Sequence, residues 1–243
     1  MPDFKHPNGK TRTSKPASKT ATTYLVCYNT LSLVLWAIIT VRLIFFLALL
    51  VPTGHVAHIF DALFPLLRFT QTLALLEIFH ALVKLVRASP ITTAMQVASR
   101  ILVVWFVMFP FSVDMIGKEK GVVGARGKAP EWRLGDWMVV GCASAWGITE
   151  CIRYGYFVVQ CLGSAVPQWL IWLRYNTFFV LYPIGISSEC TLIYKAIAPA
   201  WDIQPVVAWF FISMLVIYPP CSFILYTHMM SQRRKVMKLR KAD

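Results

Sequence analysis

Six apolar runs, at about 22–51, 57–86, 93–116, 137–161, 168–189 and 205–228, set what this chain can fold into. Each supplies the ~20 residues that a helix needs to cross ~30 Å of hydrocarbon. Backbone N–H and C=O groups find no water in lipid and must bond within their own segment, so each run is expected to be a helix. Composition agrees: of 243 residues, 57% are hydrophobic and only 14% charged, with a mean hydropathy of +0.59. A soluble domain carries about a quarter charged residues. The expected fold class is therefore all-α, a polytopic membrane protein built as a six-transmembrane-helix bundle.

Charge orients that bundle. The net charge is +13, and much of it lies at the two ends. Lys5, Lys10, Arg12, Lys15 and Lys19 precede the first run, while Arg233, Arg234, Lys235, Lys238, Arg240 and Lys241 follow the last. With Lys84, Arg87 and Arg100 on the same side, these outnumber the cations of the 117–136 loop and Lys195 opposite. Cytoplasmic segments hold the excess of Lys and Arg, so both termini are expected to be cytoplasmic and to meet anionic lipid. Residues 1–20 then form a disordered basic cytoplasmic tail, 21–229 a six-span membrane domain, and 230–243 a second basic tail. No soluble module remains to bind nucleic acid, which is not an expected partner. The first twenty residues contain no short apolar core, so no cleavable signal peptide is expected. Six cysteines lie scattered through apolar segments without CxxC spacing and read as small hydrophobes, not as a metal site or disulfide framework.

The polar residues inside these runs carry the functional information, because ionisable groups in hydrocarbon are costly. In the second run Asp61, Arg68, Glu77 and His80 must face protein if the run crosses the membrane. In the fourth, Glu150 and Arg153 are i, i+3 neighbours that can form an intrahelical ion pair, with Tyr154 adjacent. The fifth contains LRYNTFFVLYPIGISSE at 173–189, where Arg174 and Tyr175 precede Tyr182 and Glu189. Tyr182 and Glu189 are seven residues apart, close to two turns, so on a continuous helix they share a face roughly 10 Å apart along the axis. Pro183 and Gly185 predict a kink there of the kind tolerated where backbone lines a cavity. Pro52-Thr53-Gly54, Pro167 and Pro199 mark turns.

Three chemistries are disfavoured. Di-iron desaturation needs clustered histidines, and of five only His55 and His58 are close. Intramembrane serine proteolysis lacks a GxSxG elbow and well-placed histidines. Cys161 followed by Pro167 has the length of a Cys-x5-Arg phosphatase loop without the arginine that would grip a phosphate dianion.

YNTLSLVLW (28–36), LLEIFHALVKLVRASPITTAMQVASR (75–100), WGITECIRYGYF (146–157) and LRYNTFFVLYPIGISSE (173–189) together resemble the 3-hydroxyacyl-CoA dehydratase family, also called protein tyrosine phosphatase-like. The resemblance runs from about residue 24 to the C-terminus. It implies a six-span, multi-pass enzyme of the endoplasmic reticulum membrane, acting in very-long-chain fatty acid elongation. That enzyme removes water from (3R)-3-hydroxyacyl-CoA to give trans-2-enoyl-CoA. The family's catalytic tyrosine and glutamate lie in Tyr-Pro-x-Gly-x-x-x-Glu, which reads here as Tyr182 through Glu189. Arg240-Lys241-Ala242-Asp243 is similar to a dibasic retrieval signal.

Dehydration requires a base for the C2 proton, an acid for the departing 3-hydroxyl and a donor facing the thioester oxygen, and no cofactor. Glu189 as base with Tyr182 as acid or hydroxyl anchor fits, and the reverse assignment fits equally. The acyl chain is itself hydrocarbon and suits an intrabundle channel, whereas the polyanionic CoA must remain at the cytoplasmic surface. Lys84, Arg87, Arg100, Arg153 and Arg174 are phosphate candidates there, with Tyr154 and Tyr175 beside two of them. The alternatives are a non-catalytic scaffold subunit among other elongation enzymes, and a lipid transporter, which would show inverted halves.

Overall fold

The computed structural model describes residues 19–56, 58–86, 88–111 and 134–239, and these are almost wholly helical, with no strand among them. Helix α1 is Lys19–Leu50, α2 His58–Leu73, α3 Leu75–Leu82 and α4 Pro90–Ile101, which runs on into a π-helical stretch, Leu102–Met108. They are followed by α5 (Leu134–Cys161), α6 (Gln168–Asn176), α7 (Phe178–Ile203) and α8 (Pro205–Leu239). Arg87, most of the 117–136 loop, residues 1–18 and the Arg240–Asp243 motif lie outside the described residues.

Helix α1 shows how hydrocarbon acts as the solvent. Its buried stripe, Tyr28, Ser32, Trp36, Ile39 and Leu43, recurs every three or four residues and faces the bundle. Its other face is just as apolar: Leu31, Val34, Ile38, Val41, Phe45 and Leu49 are all exposed. Helix α8 repeats the pattern with Val206, Trp209, Val216 and Phe223 outward. Such continuous apolar faces exceed what a water-soluble monomer displays, and lipid covers them without penalty.

Among the described residues, four helical stretches are long and apolar enough to cross a membrane: Lys19–Leu50, His58–Leu82, Pro90–Phe111 and Pro205–Lys238. Counting Gln168–Asn176 with Phe178–Ile203, joined at a 41° bend, makes five. The sixth expected run is also a helix, α5, but it is too polar to qualify, because it carries Asp136, Glu150 and Arg153. Its position explains the polarity. Helix α5 packs between α1 and α7, and its neighbours shield it from lipid.

Close approach to α5 depends on small residues. A Cβ at Gly141 would stand 2.6 Å from the Ser188 hydroxyl oxygen of α7, and one at Gly147 would stand 2.5 Å from Thr40 Oγ1 of α1. Thr40 Oγ1 already donates to the Trp36 carbonyl at 2.8 Å, so moving it also breaks a bond.

Two local expectations need correction. The bend falls at Thr177 and not at Pro183, and α7 continues through both Pro183 and Pro199. A threonine that bonds back to the carbonyl four residues before it can bend a helix. The Thr177 hydroxyl donates back to Leu173 O at 2.8 Å and occupies the helix carbonyl. Pro199 marks no turn; the chain turns at Gln204, which is extended. Residues 230–239 continue α8 as helix.

The second run resolves as a helix broken after Leu73. Arg68 lies against the rings of Phe64, Trp105 and Phe109 at 5.7, 5.2 and 4.6 Å. His80 is buried and shares a 2.8 Å hydrogen bond with the Tyr24 hydroxyl. Glu77 faces α5, and Asp61 stays near the helix start, 4.0 Å from His58.

Gly147→Leu should lower stability by about 1–3 kcal/mol or more through overpacking. Gly155→Ala, in open space on the same helix, should leave the melting temperature in detergent micelles unchanged.

Candidate functional site

Glu189 sits on α7 where three helices meet, and only 4% of it is exposed. Each carboxylate oxygen accepts a hydrogen bond from a neutral donor. Trp146 Nε1 of α5 donates to Oε1 at 2.9 Å, and the Tyr218 hydroxyl of α8 donates to Oε2 at 3.0 Å. The Tyr218 oxygen also lies 3.3 Å from the Ser99 carbonyl of α4.

Tyr182 takes the same side of α7. Its hydroxyl donates to the Ser222 carbonyl of α8 at 3.0 Å, one turn beyond Tyr218. The two residues thus reach successive turns of one neighbouring helix, as their seven-residue spacing requires. They make no hydrogen bond to each other: phenol and carboxylate hold separate partners. Tyr182 stacks near Tyr226, with ring centroids 5.8 Å apart. It forms one wall of an open groove of about 400 Å³ between α7 and α8, with Pro183, Ile186, Ser187, Phe223 and Tyr226. Glu189 lies inside the bundle, and Tyr182 at its edge.

A second polar cluster lies one turn further along α5. Glu150, 1% exposed, is paired with Arg100 of α4 through Oε1, and Arg153 Nε donates to its Oε2 at 2.7 Å. The Arg153 guanidinium then grips Glu77 of α3 with two bonds of 2.6 Å. Tyr154 donates to the same Glu77 carboxylate, and Arg153 lies 4.2 Å from its ring centroid. Bidentate arginine–carboxylate geometry of this kind fixes orientation as well as charge. The intrahelical Glu150–Arg153 pair expected from their spacing is present, and it is the centre of a four-charge chain. Arg100 joins the two clusters, since its guanidinium carbon lies 5.8 Å from the Trp146 ring.

Arg174 is placed differently. Its guanidinium rests on the rings of Tyr156 and Phe157 at 4.3 and 4.7 Å, with Tyr175 at 5.9 Å. Nearby, Arg233 of α8 donates to Asn176 Oδ1 through Nε at 3.1 Å and Nη2 at 3.0 Å. Lys84 is exposed beyond the end of α3.

Among the residues named from sequence, the structure joins Arg153, Tyr154 and Arg100 in one network, sets Tyr182 and Glu189 along one face of α7, and puts Arg174 with Tyr175 at a separate aromatic cluster. Sequence reading missed Trp146 and Tyr218. An aromatic side chain in an apolar span carries no mark separating it from lipid-facing neighbours, and both meet Glu189 from other helices.

Removing one member of a buried ion network leaves an uncompensated charge and costs about 3–5 kcal/mol. Glu150→Gln should therefore destabilise the protein by that order in a denaturant titration in micelles. Adding Arg100→Met should recover part of the loss.

The sequence matches the family described as "Protein tyrosine phosphatase-like protein, PTPLA" over residues 71–239. It is 37% identical to the probable very-long-chain (3R)-3-hydroxyacyl-CoA dehydratase of Schizosaccharomyces pombe, over 88% of this chain and 93% of that protein. It is 34% identical to very-long-chain (3R)-3-hydroxyacyl-CoA dehydratase PASTICCINO 2B of Oryza sativa, over 90% of this chain and 95% of that protein. With very-long-chain (3R)-3-hydroxyacyl-CoA dehydratase 2 of Homo sapiens it shares 32% identity, over 89% and 82%. No solved structure matches. The matched region spans the α3, α5 and α7 segments that carry both clusters, and on that basis the chain belongs to the protein tyrosine phosphatase-like family, PTPLA.

Proposed function

We propose that this protein dehydrates (3R)-3-hydroxyacyl-CoA to trans-2-enoyl-CoA in the very-long-chain fatty acid elongation cycle, with Glu189 as base and Tyr182 as acid. The observation that carries this reading is the placement of Glu189, inside an apolar bundle with a neutral donor on each oxygen. A carboxylate so held is a proton acceptor. The Tyr182 hydroxyl is a donor in the same structure, which favours this assignment over the reverse.

In the proposed step the Glu189 carboxylate takes the proton from C2. The C2–C3 double bond forms as the C3–O bond breaks, and the hydroxyl leaves as water with the proton of Tyr182. The proton on Glu189 then returns to the Tyr182 phenolate through that water, restoring both groups. The reaction consumes no external reductant or oxidant. Exclusion of bulk water strengthens both proton transfers.

The rest of the molecule accommodates the two halves of the substrate. The acyl chain moves from hydrocarbon to an apolar interior at little cost. CoA is polyanionic, and Arg174 with Tyr175 beside it is the candidate for its phosphates, a guanidinium supported on aromatic faces. Arg153 and Tyr154 engage Glu77 and Glu150, so their part in substrate binding is to hold the helices that form the site.

This reading places the protein in the endoplasmic reticulum membrane as a six-span protein, with α5 counted as the innermost crossing and both basic termini cytoplasmic. Its partners are the long-chain acyl-CoA substrate, the bilayer and other enzymes of fatty acid elongation, and nucleic acid is not among them. A scaffold subunit without activity would have no need of a buried carboxylate held by two neutral donors and no cation.

Incubation of the purified protein with a long-chain (3R)-3-hydroxyacyl-CoA should yield enoyl-CoA by mass spectrometry. Tyr182→Phe and Glu189→Gln should each lower turnover by about 10²–10⁴-fold; a near wild-type rate in either would refute the assignment. Arg174→Glu should raise KM for acyl-CoA more than for a thioester lacking the nucleotide, and equal effects would count against a phosphate contact.

A further inference from the structure

The two donors to Glu189 differ in what else they can reach. The indole N–H of Trp146 points to Oε1, and it is the only polar hydrogen that side chain has. The Tyr218 hydroxyl has two acceptors within reach, Glu189 Oε2 at 3.0 Å and the Ser99 carbonyl at 3.3 Å. A phenol carries one proton and rotates it about the C–O bond, so it can serve either acceptor but not both fully. Tyr218 is 7% exposed, and Glu189 4%, so no bulk water is present to replace a lost partner.

This matters because a base must change protonation state during turnover. When Glu189 takes a proton on Oε2, a donor fixed at that oxygen would face a new O–H and lose its acceptor. A buried donor left unpaired is penalised by its full desolvation, which would oppose the proton transfer. A donor with a second acceptor avoids that penalty. The Ser99 carbonyl is suitably placed, because α4 ends two residues later and passes into the π-helical stretch from Leu102. Such stretches shift the backbone carbonyls from their usual register and are often found at functional sites.

We propose that Tyr218 is a positioning residue for the dehydration, a donor that holds the Glu189 carboxylate at Oε2 and turns to the Ser99 carbonyl when that oxygen becomes protonated. Trp146 stays on Oε1 throughout and fixes the plane of the carboxyl group. The Arg100 guanidinium over the Trp146 ring and the Ser99 carbonyl beside Tyr218 are adjacent positions of α4, so one turn of that helix sets both donors. The transferred proton stays on Glu189 and Tyr218 keeps its own; only the direction of its hydroxyl changes. The inference rests on Glu189 being the base.

The test compares Tyr218→Phe, Glu189→Gln and wild type in micelles, using long-chain (3R)-3-hydroxyacyl-CoA and the same substrate deuterated at C2. In Tyr218→Phe, kcat should fall on the order of 10²–10³-fold, as for loss of one preorganised donor, with KM unchanged. The deuterium effect on kcat should rise, because proton removal becomes slower relative to product release. A residue that merely supports the fold would alter the melting temperature and leave the isotope effect where it was. If Glu189→Gln is inactive while Tyr218→Phe keeps wild-type kcat and isotope effect, the role of Tyr218 is overturned and the base assignment stands. If Glu189→Gln turns over normally, the base assignment itself fails. Should Tyr218→Phe not fold, Tyr218→Met fills the site without a donor: lowered kcat with a raised isotope effect supports the proposal, and wild-type kcat and isotope effect overturn it.

Discussion

A charge inside a bilayer must be neutralised by another part of the protein, and the chain Arg100–Glu150–Arg153–Glu77 is how this fold meets that constraint. It ties α4, α5 and α3 together at a point where hydrophobic burial gives little direction, since lipid is as apolar as a leucine side chain. Without it α5 is too polar to sit among the other helices. With it, α5 becomes the central helix, and Trp146, one turn before Glu150, is brought against Glu189.

Two buried carboxylates one turn of structure apart therefore have different lives. Glu150 is clamped by two guanidinium groups, whereas Glu189 accepts from an indole and a phenol, both neutral. Pairs of titratable groups whose environments are pushed apart in this way commonly separate a structural from a chemical role. The outer surface obeys the same solvent. Helices α1 and α8 are apolar on both faces, and polar side chains are gathered where helices meet.

Much of this was legible in the residues. The six apolar runs all became helices, the Glu150–Arg153 spacing gave its ion pair, and the seven-residue interval placed Tyr182 and Glu189 on one face. Local proline effects were read less well. The bend lies at Thr177, whose hydroxyl bonds back to the Leu173 carbonyl, and Pro199 is absorbed within α7. Arg153 looked like a ligand for phosphate, yet two carboxylates surround it, one of them from a helix 76 residues earlier in the chain.

Sequence by itself determined the helices, their solvent and the order of polar groups along each one, since period and apolarity are properties of a single segment. It also determined which side of α7 Tyr182 and Glu189 share. Only the tertiary structure decided what those groups touch. Glu77 finding Arg153, and Trp146, Tyr218 and Ser99 converging around Glu189, are meetings between different helices. Helix rotation and crossing are set by packing of many side chains at once, and no single segment encodes them.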